Sequence, residues 1–224
     1  MATRMLLVIL DNGLDLKTLR RWNRSNTTIR SWGHRKLKMP FDVGAHGFFR
    51  YAKSDFRSRS RHGRVNALSN AKRAIDCQID SLLFAFGLLG RSRRQHWNFP
   101  AKMKTLKDIG VVTPTILRKI VRRRNVLEHE YHSPSNGEVE DALDVAELFI
   151  EYTDDFLRYE WYDCEFDGKE LWVSLDIKKE RMVFERLDFR EGRLSRIGLG
   201  SVSAGSEQYL DYLKWFLPFV RHLP

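Results

Sequence analysis

The chain has 224 residues, 42% hydrophobic and 30% charged, proportions ordinary for a soluble globular protein and long enough to bury a core without staples. Its two cysteines, Cys77 and Cys164, lie far apart and show no CxxC or Cys/His spacing; this excludes a disulfide framework and makes a reducing cytoplasm the expected compartment. The net charge of +10 is uneven: residues 1–65 carry 15 Lys/Arg against 4 Asp/Glu, residues 66–224 carry 24 against 25, so a polyanion-facing surface is expected in the first third of the chain, with nucleic acid as its partner.

In chain order, the opening apolar run Met5–Leu10 is six residues long and stops at Asp11, too short to cross a bilayer and expected to be a buried strand or a core helix turn. DLKTLRRW reads as a short helix and TTIRSW as a strand broken by Gly33. The stretch MPFDVGAHGFFRYAKSDFRSRSRHGR shows no clean period and is expected to be irregular. It interleaves Phe48, Phe49, Tyr51 and Phe56 with Arg50, Lys53, Arg57, Arg59, Arg61 and Arg64. Such rings stack on bases beside phosphate-binding cations, or anchor a loop onto the core. His34, His46 and His62 in this segment, and His96 beside Trp97, are candidate phosphate contacts or loop-packing residues. From residue 66, apolar side chains at Ala71, Ala74, Ile75, Ile79, Leu82, Leu83 and Phe86 have helical spacing, with Ser69 or Asn70 as cap, Cys77 in the core and Gly90 as stop.

A short helix is expected near 101–109, and Thr113-Pro114 signals the start of another, carrying Ile116, Leu117, Ile120, Val121 and Leu127. Ser133–Gly137 reads as a turn. A long amphipathic helix with an acidic outer face then runs from Val139 through Phe156. WYDCEF and KELWVSL flank Asp167-Gly168, a strong hairpin signal. ERMVFERLDF and GRLSRIGLG supply two further strands, and SEQYLDYLKWFLPFVRHL a last helix that Pro218 would kink or end. The expected organisation is α+β: a basic N-terminal segment, 1–65, packed on the core; a four-helix bundle, 66–160; and a small antiparallel sheet with a terminal helix, 161–224.

The chemistry-bearing stretch is RRRNVLEHEY, residues 122–131. On a helix Asn125 and His129 are i and i+4 and share a face, as do Arg124 and Tyr131 at i and i+7. Arg124 and His129 are five apart, about 140° round a straight helix. They meet at one phosphate if the helix end is irregular, if the arginine wraps round, or if two copies of the segment face each other across a two-fold axis. Histidine can take the proton of an RNA 2′-hydroxyl or protonate the leaving 5′-oxygen. Arginine's planar fork suits the charge that builds on the pentacoordinate phosphorus. The chemistry needs no metal, and no convincing ligand cluster is present in the sequence.

Arg124, Asn125 and His129, with Tyr131 completing an Arg-x4-His-x-Tyr pattern inside a helical region, resemble the HEPN superfamily, over about residues 66–160. The resemblance implies a HEPN-like four-helix bundle and a metal-independent endoribonuclease, in a toxin or antiviral-defence role, commonly dimeric. Residue by residue it implies Arg124 as phosphate stabiliser, His129 as general acid/base and Asn125 as its orienting partner. Tyr131, His132 and Arg123 would contact substrate, with His132 alternatively capping the helix end. RNA, a second copy and an antitoxin or defence component are the implied partners, with no cofactor, no metal and no membrane. Two other classes remain: a non-catalytic nucleic-acid or nucleotide-binding module, and a protein-interaction subunit.

Overall fold

A 25-residue helix, Arg61–Ala85, is the longest described element, about 37 Å from end to end. It belongs to a computed structural model that describes residues 16–20, 29–31, 36–112, 133–160, 164–166, 171–190 and 193–220. The helices of the described residues are α1, Leu16–Leu19; α2, Ala45–Arg57; α3, Arg61–Ala85; α4, Leu89–Arg94; α5, Phe99–Asp108; α6, Asn136–Thr153; and α7, Tyr209–Val220. A 3-10 turn, Asp154–Leu157, extends α6. The strands are β1, Ile29–Ser31; β2, Cys164–Phe166; β3, Leu171–Asp176; β4, Arg181–Arg190; and β5, Arg193–Ser203. The chain is therefore mixed α+β.

Helix α2 is a correction to the expected irregular segment. Ala45, Phe49 and Ala52 are its buried residues, a stripe at i, i+4, i+7 that seats it on α3. Between the two helices only Ser58, Arg59 and Ser60 intervene, and α3 starts at Arg61 rather than after Ser69 or Asn70. Ser60 Oγ accepts from the Gly63 N–H at 2.9 Å as the cap. Gly63 is needed at this corner, because a Cβ there would lie 2.5 Å from the Asp55 carbonyl oxygen. The C-terminal stop is also earlier than expected. Gly87, at φ +68°, turns the chain left-handed as glycine readily does, whereas Gly90 lies inside α4, a helix the sequence reading did not separate. Asn98 caps α5 through the Ala101 N–H at 3.0 Å. The expected turn Ser133–Gly137 gives way to a helix start: Ser135 caps α6 and, with Glu138, forms a reciprocal capping box.

The sheet is antiparallel with strands in the order β1-β2-β3-β4-β5. β2 and β3 pair as the hairpin signal predicts; the Asp167-Gly168 turn itself lies outside the described residues. Alternation places Met182 and Phe184 inward between less buried Val183 and Glu185. Helix α7 covers this face: Phe166 stacks on Trp215 and meets Phe219 edge-on, and Phe184 packs on Tyr212. Pro218 does not end α7, which runs on to Val220. The backbone donor it removes would have met Lys214, and both residues are exposed, so water can serve that carbonyl.

Helix α4 clasps the helices to the sheet. Arg94 makes two bonds to the Glu180 carboxylate, at 3.3 and 2.6 Å, on the β3–β4 turn. Arg91 donates to the carbonyls of Ala204 and Ser206, both at 3.0 Å, between β5 and α7. The buried Tyr209 hydroxyl completes the joint by donating to the Phe86 carbonyl at the end of α3, at 2.8 Å.

Burial pushes the Tyr209 phenol well above the usual tyrosine range. A phenol whose folded pKa is raised leaves stability intact below the unfolded pKa of about 10 and erodes it as pH rises beyond. Tyr209→Phe should lower the unfolding free energy at neutral pH by about 1–2 kcal/mol, by leaving a buried carbonyl unmatched. It should also remove part of the loss of stability above about pH 10; urea titrations at neutral and alkaline pH measure both.

Candidate functional site

The residues singled out by sequence, Arg123, Arg124, Asn125, His129, Tyr131 and His132, lie outside the described residues. So does the helix start expected at Thr113-Pro114. The described residues on either side of them in sequence are placed as follows. Before them, Ile109, Val111 and Val112 are buried after α5. After them, Pro134 is buried and its carbonyl accepts from Arg64 Nε at 2.8 Å. Arg64 also donates to the Arg59 carbonyl, at 3.2 Å. The chain two residues beyond His132 is thus tied to the corner where α2 meets α3. Beside it the Ser133 hydroxyl oxygen is buried with no hydrogen-bond partner.

That corner is densely cationic. Arg57, Arg59 and Arg61 are exposed, and Ser58, Ser60 and the first turn of α3 separate them from the core. No described residue pairs with the guanidinium groups of Arg59 or Arg61. Arg59 adopts φ +52°, a left-handed conformation uncommon for a side chain of this size, and it is held there by the turn and by the Arg64 bond to its carbonyl. The nearby carboxylate, Asp55, accepts from Asn70 Nδ2 at 2.8 Å. Exposed guanidinium groups at the positive end of a long helix form an anion-attracting surface.

The interleaved aromatic residues divide by role. Phe49 is buried, Phe48 and Phe56 are partly buried against the core, and Tyr51 is 48% exposed with its ring edge-on to Phe48. The first three anchor α2; of the four, Tyr51 is the one open to a partner. The histidines divide too. His62 sits beside Asn66 at 3.0 Å, and His96 is exposed at φ +50°.

His46 has the arrangement that sequence reading missed. Its Nε2 lies 2.6 Å from Asp154 Oδ2, joining the start of α2 to the end of α6. The other Asp154 oxygen accepts from Gln78 Nε2 at 3.1 Å, and the same amide donates to Thr153 Oγ1 at 2.9 Å. Gln78 is 1% exposed on α3, so one carboxylate serves both a surface imidazole and a buried amide. The partners are 108 residues apart in sequence, and only the capped end of α6, with Asp154 directly after Thr153, offered a local signal. The set orients helices; it has no nucleophile placed against the imidazole.

Cys77 is half-buried, its thiol 3.6 Å from the Val43 carbonyl, and burial, the largest cause, pushes its pKa up. That keeps the thiol protonated and unreactive. A cleft of about 200 Å³ lies at the far end of α3, lined by Phe84, Gly87, Gly90, Arg93, Ile177 and Glu180 among others. It is part of the helix–sheet joint, roughly the length of α3 away from the cationic corner. Among the described residues no three His, Cys, Asp or Glu side chains group as metal ligands, and no helix is long and apolar enough to cross a membrane.

No family model, no curated protein and no solved structure matches this chain.

Removal of the shared carboxylate should be costlier than removal of the imidazole. Asp154→Ala takes from the buried Gln78 amide one of its acceptors, leaving Thr153 Oγ1 at 2.9 Å and the more distant Ile150 carbonyl at 3.5 Å, and should cost about 1–2 kcal/mol. His46→Ala breaks a half-exposed pair and should cost under about 1 kcal/mol. Urea denaturation of the two variants ranks them; equal losses would mean that Gln78 finds another acceptor.

Proposed function

We propose that this chain is a metal-independent endoribonuclease of HEPN type. In this proposal His129 moves the proton between the 2′-hydroxyl and the leaving 5′-oxygen, and Arg124 neutralises the pentacoordinate phosphorane. Asn125 orients the imidazole, while Tyr131, His132 and Arg123 contact the RNA. The products are a 2′,3′-cyclic phosphate and a free 5′-hydroxyl. The four-helix bundle belongs to the same proposal. α3, α5 and α6 are three of its expected helices, and the fourth, expected from Thr113 onward, lies outside the described residues. A toxin or antiviral-defence role, action as a homodimer and a neutralising or defence partner are further parts of it.

One observation carries the proposal: Pro134, three residues after Tyr131 of the Arg-x4-His-x-Tyr pattern, accepts through its carbonyl from Arg64 of the cationic corner. A phosphodiester drawn to Arg59 and Arg61 is thereby brought to the end of that pattern. The charge excess of the first third and the Arg-x4-His-x-Tyr pattern, read separately in the sequence, then serve a single substrate. The corner also favours the second reading, a module that binds RNA without cutting it, since Arg59 and Arg61 attract phosphate whatever His129 does.

The two readings separate in a single assay series. With a chelator present, wild type should cleave single-stranded RNA to cyclic-phosphate ends. His129→Ala should lose at least about 100-fold in rate, the lower range for a general acid/base, while binding RNA as wild type does. Binding without any cleavage by wild type would leave the non-catalytic reading standing. The pair Arg59→Asn and Arg61→Ala should weaken binding and lower the slope of log affinity against log salt by about 1–2, one for each phosphate no longer neutralised. Asparagine at 59 is chosen because it tolerates the left-handed backbone.

A further inference from the structure

Helices α2 and α6 lie side by side and antiparallel, in a register set by one ion pair and one imidazole–carboxylate hydrogen bond. Lys53 Nζ meets Glu147 Oε1 at 2.7 Å, and His46 meets Asp154 at 2.6 Å. Each pair joins positions whose numbers sum to 200, so position n of α2 lies level with position 200 − n of α6. Both helices turn their apolar stripes to the core, which leaves their outer faces as one continuous surface. On α2 that surface carries Arg50, Arg57 and Tyr51; on α6 it carries Asp144, Glu151 and Leu148, all exposed.

Two features set this surface apart. The side chains of Arg50 and Arg57, like those of Asp144 and Glu151, make no ion pair or hydrogen bond with another described residue, although cationic and anionic rows run side by side. Among the described residues three large hydrophobic side chains are exposed, and two of them, Tyr51 at 48% and Leu148 at 61%, lie here. By helical phase, at about 100° per residue, Tyr51 leans toward the edge of α2 remote from α6. Leu148 leans toward the edge of α6 remote from α2.

We propose that the joined outer faces of α2 and α6 are a self-complementary docking surface for a second copy of this chain. A two-fold axis parallel to the helices and above the seam between them sets α2 of one copy over α6 of its partner, and the reverse. Such an axis keeps every residue at its own height, so the register rule holds between copies as well. Arg57 then faces the partner's Asp144 and Arg50 faces the partner's Glu151, each level to within about one residue's rise of 1.5 Å. Tyr51 meets the partner's Leu148, also within about one residue, and because both lean outward they close the rim on each side. Every contact occurs twice. No other rotation about this surface sets the cationic row on the anionic row in both directions.

The arrangement fixes the strength and salt response of the contact. A patch about 20 Å long and 20 Å wide covers roughly 400 Å² per copy, or 800 Å² in all, below the usual range for permanent complexes. The dimer is therefore weak, forms at high concentration and comes apart with salt. The inference shares with the ribonuclease proposal only the premise that two copies associate. Catalysis is not needed for it, and it places both copies of Pro134 at the same end of the dimer.

The test reads molecular mass by sedimentation of the full chain. At about 100 µM protein and 50 mM salt wild type should sediment as a monomer–dimer mixture, and at about 500 mM salt as monomer. Arg57→Glu and Asp144→Arg should each be folded by circular dichroism and each be monomeric, with association weakened at least about 10-fold. Mixed in equal amounts, these two variants should dimerise again. The carboxylate introduced in one then faces the guanidinium introduced in the other, and the native Arg57–Asp144 pair forms at the second contact. Pairing within one chain cannot produce that recovery. A wild type that stays monomeric at low salt, a dimer that survives either reversal, or a mixture that stays monomeric would each overturn the proposal, whatever the outcome of the cleavage assays.

Discussion

Between Gln78 and Phe86, helix α3 has almost no face left to give to water. Gln78, Ile79, Ser81, Leu82, Leu83, Ala85 and Phe86 are all buried, and a helix buried on every side needs partners all round it. Its first half differs: Gly63, Ala67, Ala71 and Ala74 form one buried stripe, while Arg61, Val65, Ser69 and Arg73 stay exposed. The helix thus passes from surface into interior along its length. α2 and α6 cover the half-buried part; α4, α5, α7 and the sheet enclose the rest. Ile79, Leu82, Leu83 and Phe86 alone bury enough surface to contribute about 1.5–3 kcal/mol each, which makes enclosure of this end the strongest single demand on the fold.

That enclosure dictates where polar groups can sit. Gln78 is the polar side chain at the point where the helix goes under, and it is tolerated because Thr153 and Asp154 meet its amide. Asp154 must then stand at the end of α6, which places α6 antiparallel to α2 and fixes the register seen again in Lys53–Glu147. At the deep end the Phe86 carbonyl has no helical donor left, and the Tyr209 hydroxyl supplies one. The two ends of the buried stretch are satisfied by side chains more than 70 residues away in sequence. Polar satisfaction and helix order are therefore one constraint.

Much of this was legible in the sequence because period and turn chemistry are local. The β2–β3 hairpin, strands β4 and β5, the terminal helix and the apolar stripe of α3 all follow from spacing within a few residues. The failures also have local causes. In α2 the stripe Ala45, Phe49, Ala52 was masked by Phe48 and Tyr51, which add aromatic side chains off the stripe, and by arginines that suggested a loop. Gly90 looked like the stop of α3, but the left-handed turn falls at Gly87, and nothing in the composition around the two glycines distinguishes them. Ser135 and Glu138 carried the capping-box spacing that would have moved the start of α6 to Asn136. The His46–Asp154–Gln78 set had no such signal, since it exists only once three helices are packed. The Arg124–His129 segment lies outside the described residues, so for it only the flanking anchors, Val112 and Pro134, add to the sequence.

Charge distribution acquires a different meaning once the helices are placed. The excess in residues 1–65 suggested one polyanion-facing surface, yet along α2 that charge lies beside the acidic row of α6, and Lys53 and His46 are already bonded across the seam. A polyanion approaching α2 therefore meets Glu147, Glu151 and Asp144 as well, and at physiological ionic strength charges within about 8 Å largely cancel for a distant ligand. Beyond the end of α2 the chain reverses, α6 begins with its polar cap, and Arg59 and Arg61 stand at the positive end of α3. Cationic charge there is reinforced by the helix terminus rather than offset. Of the charge described on α2 and its corner, the part that attracts anions is thus the corner, and the remaining cations on α2 become available for matching a surface of alternating sign.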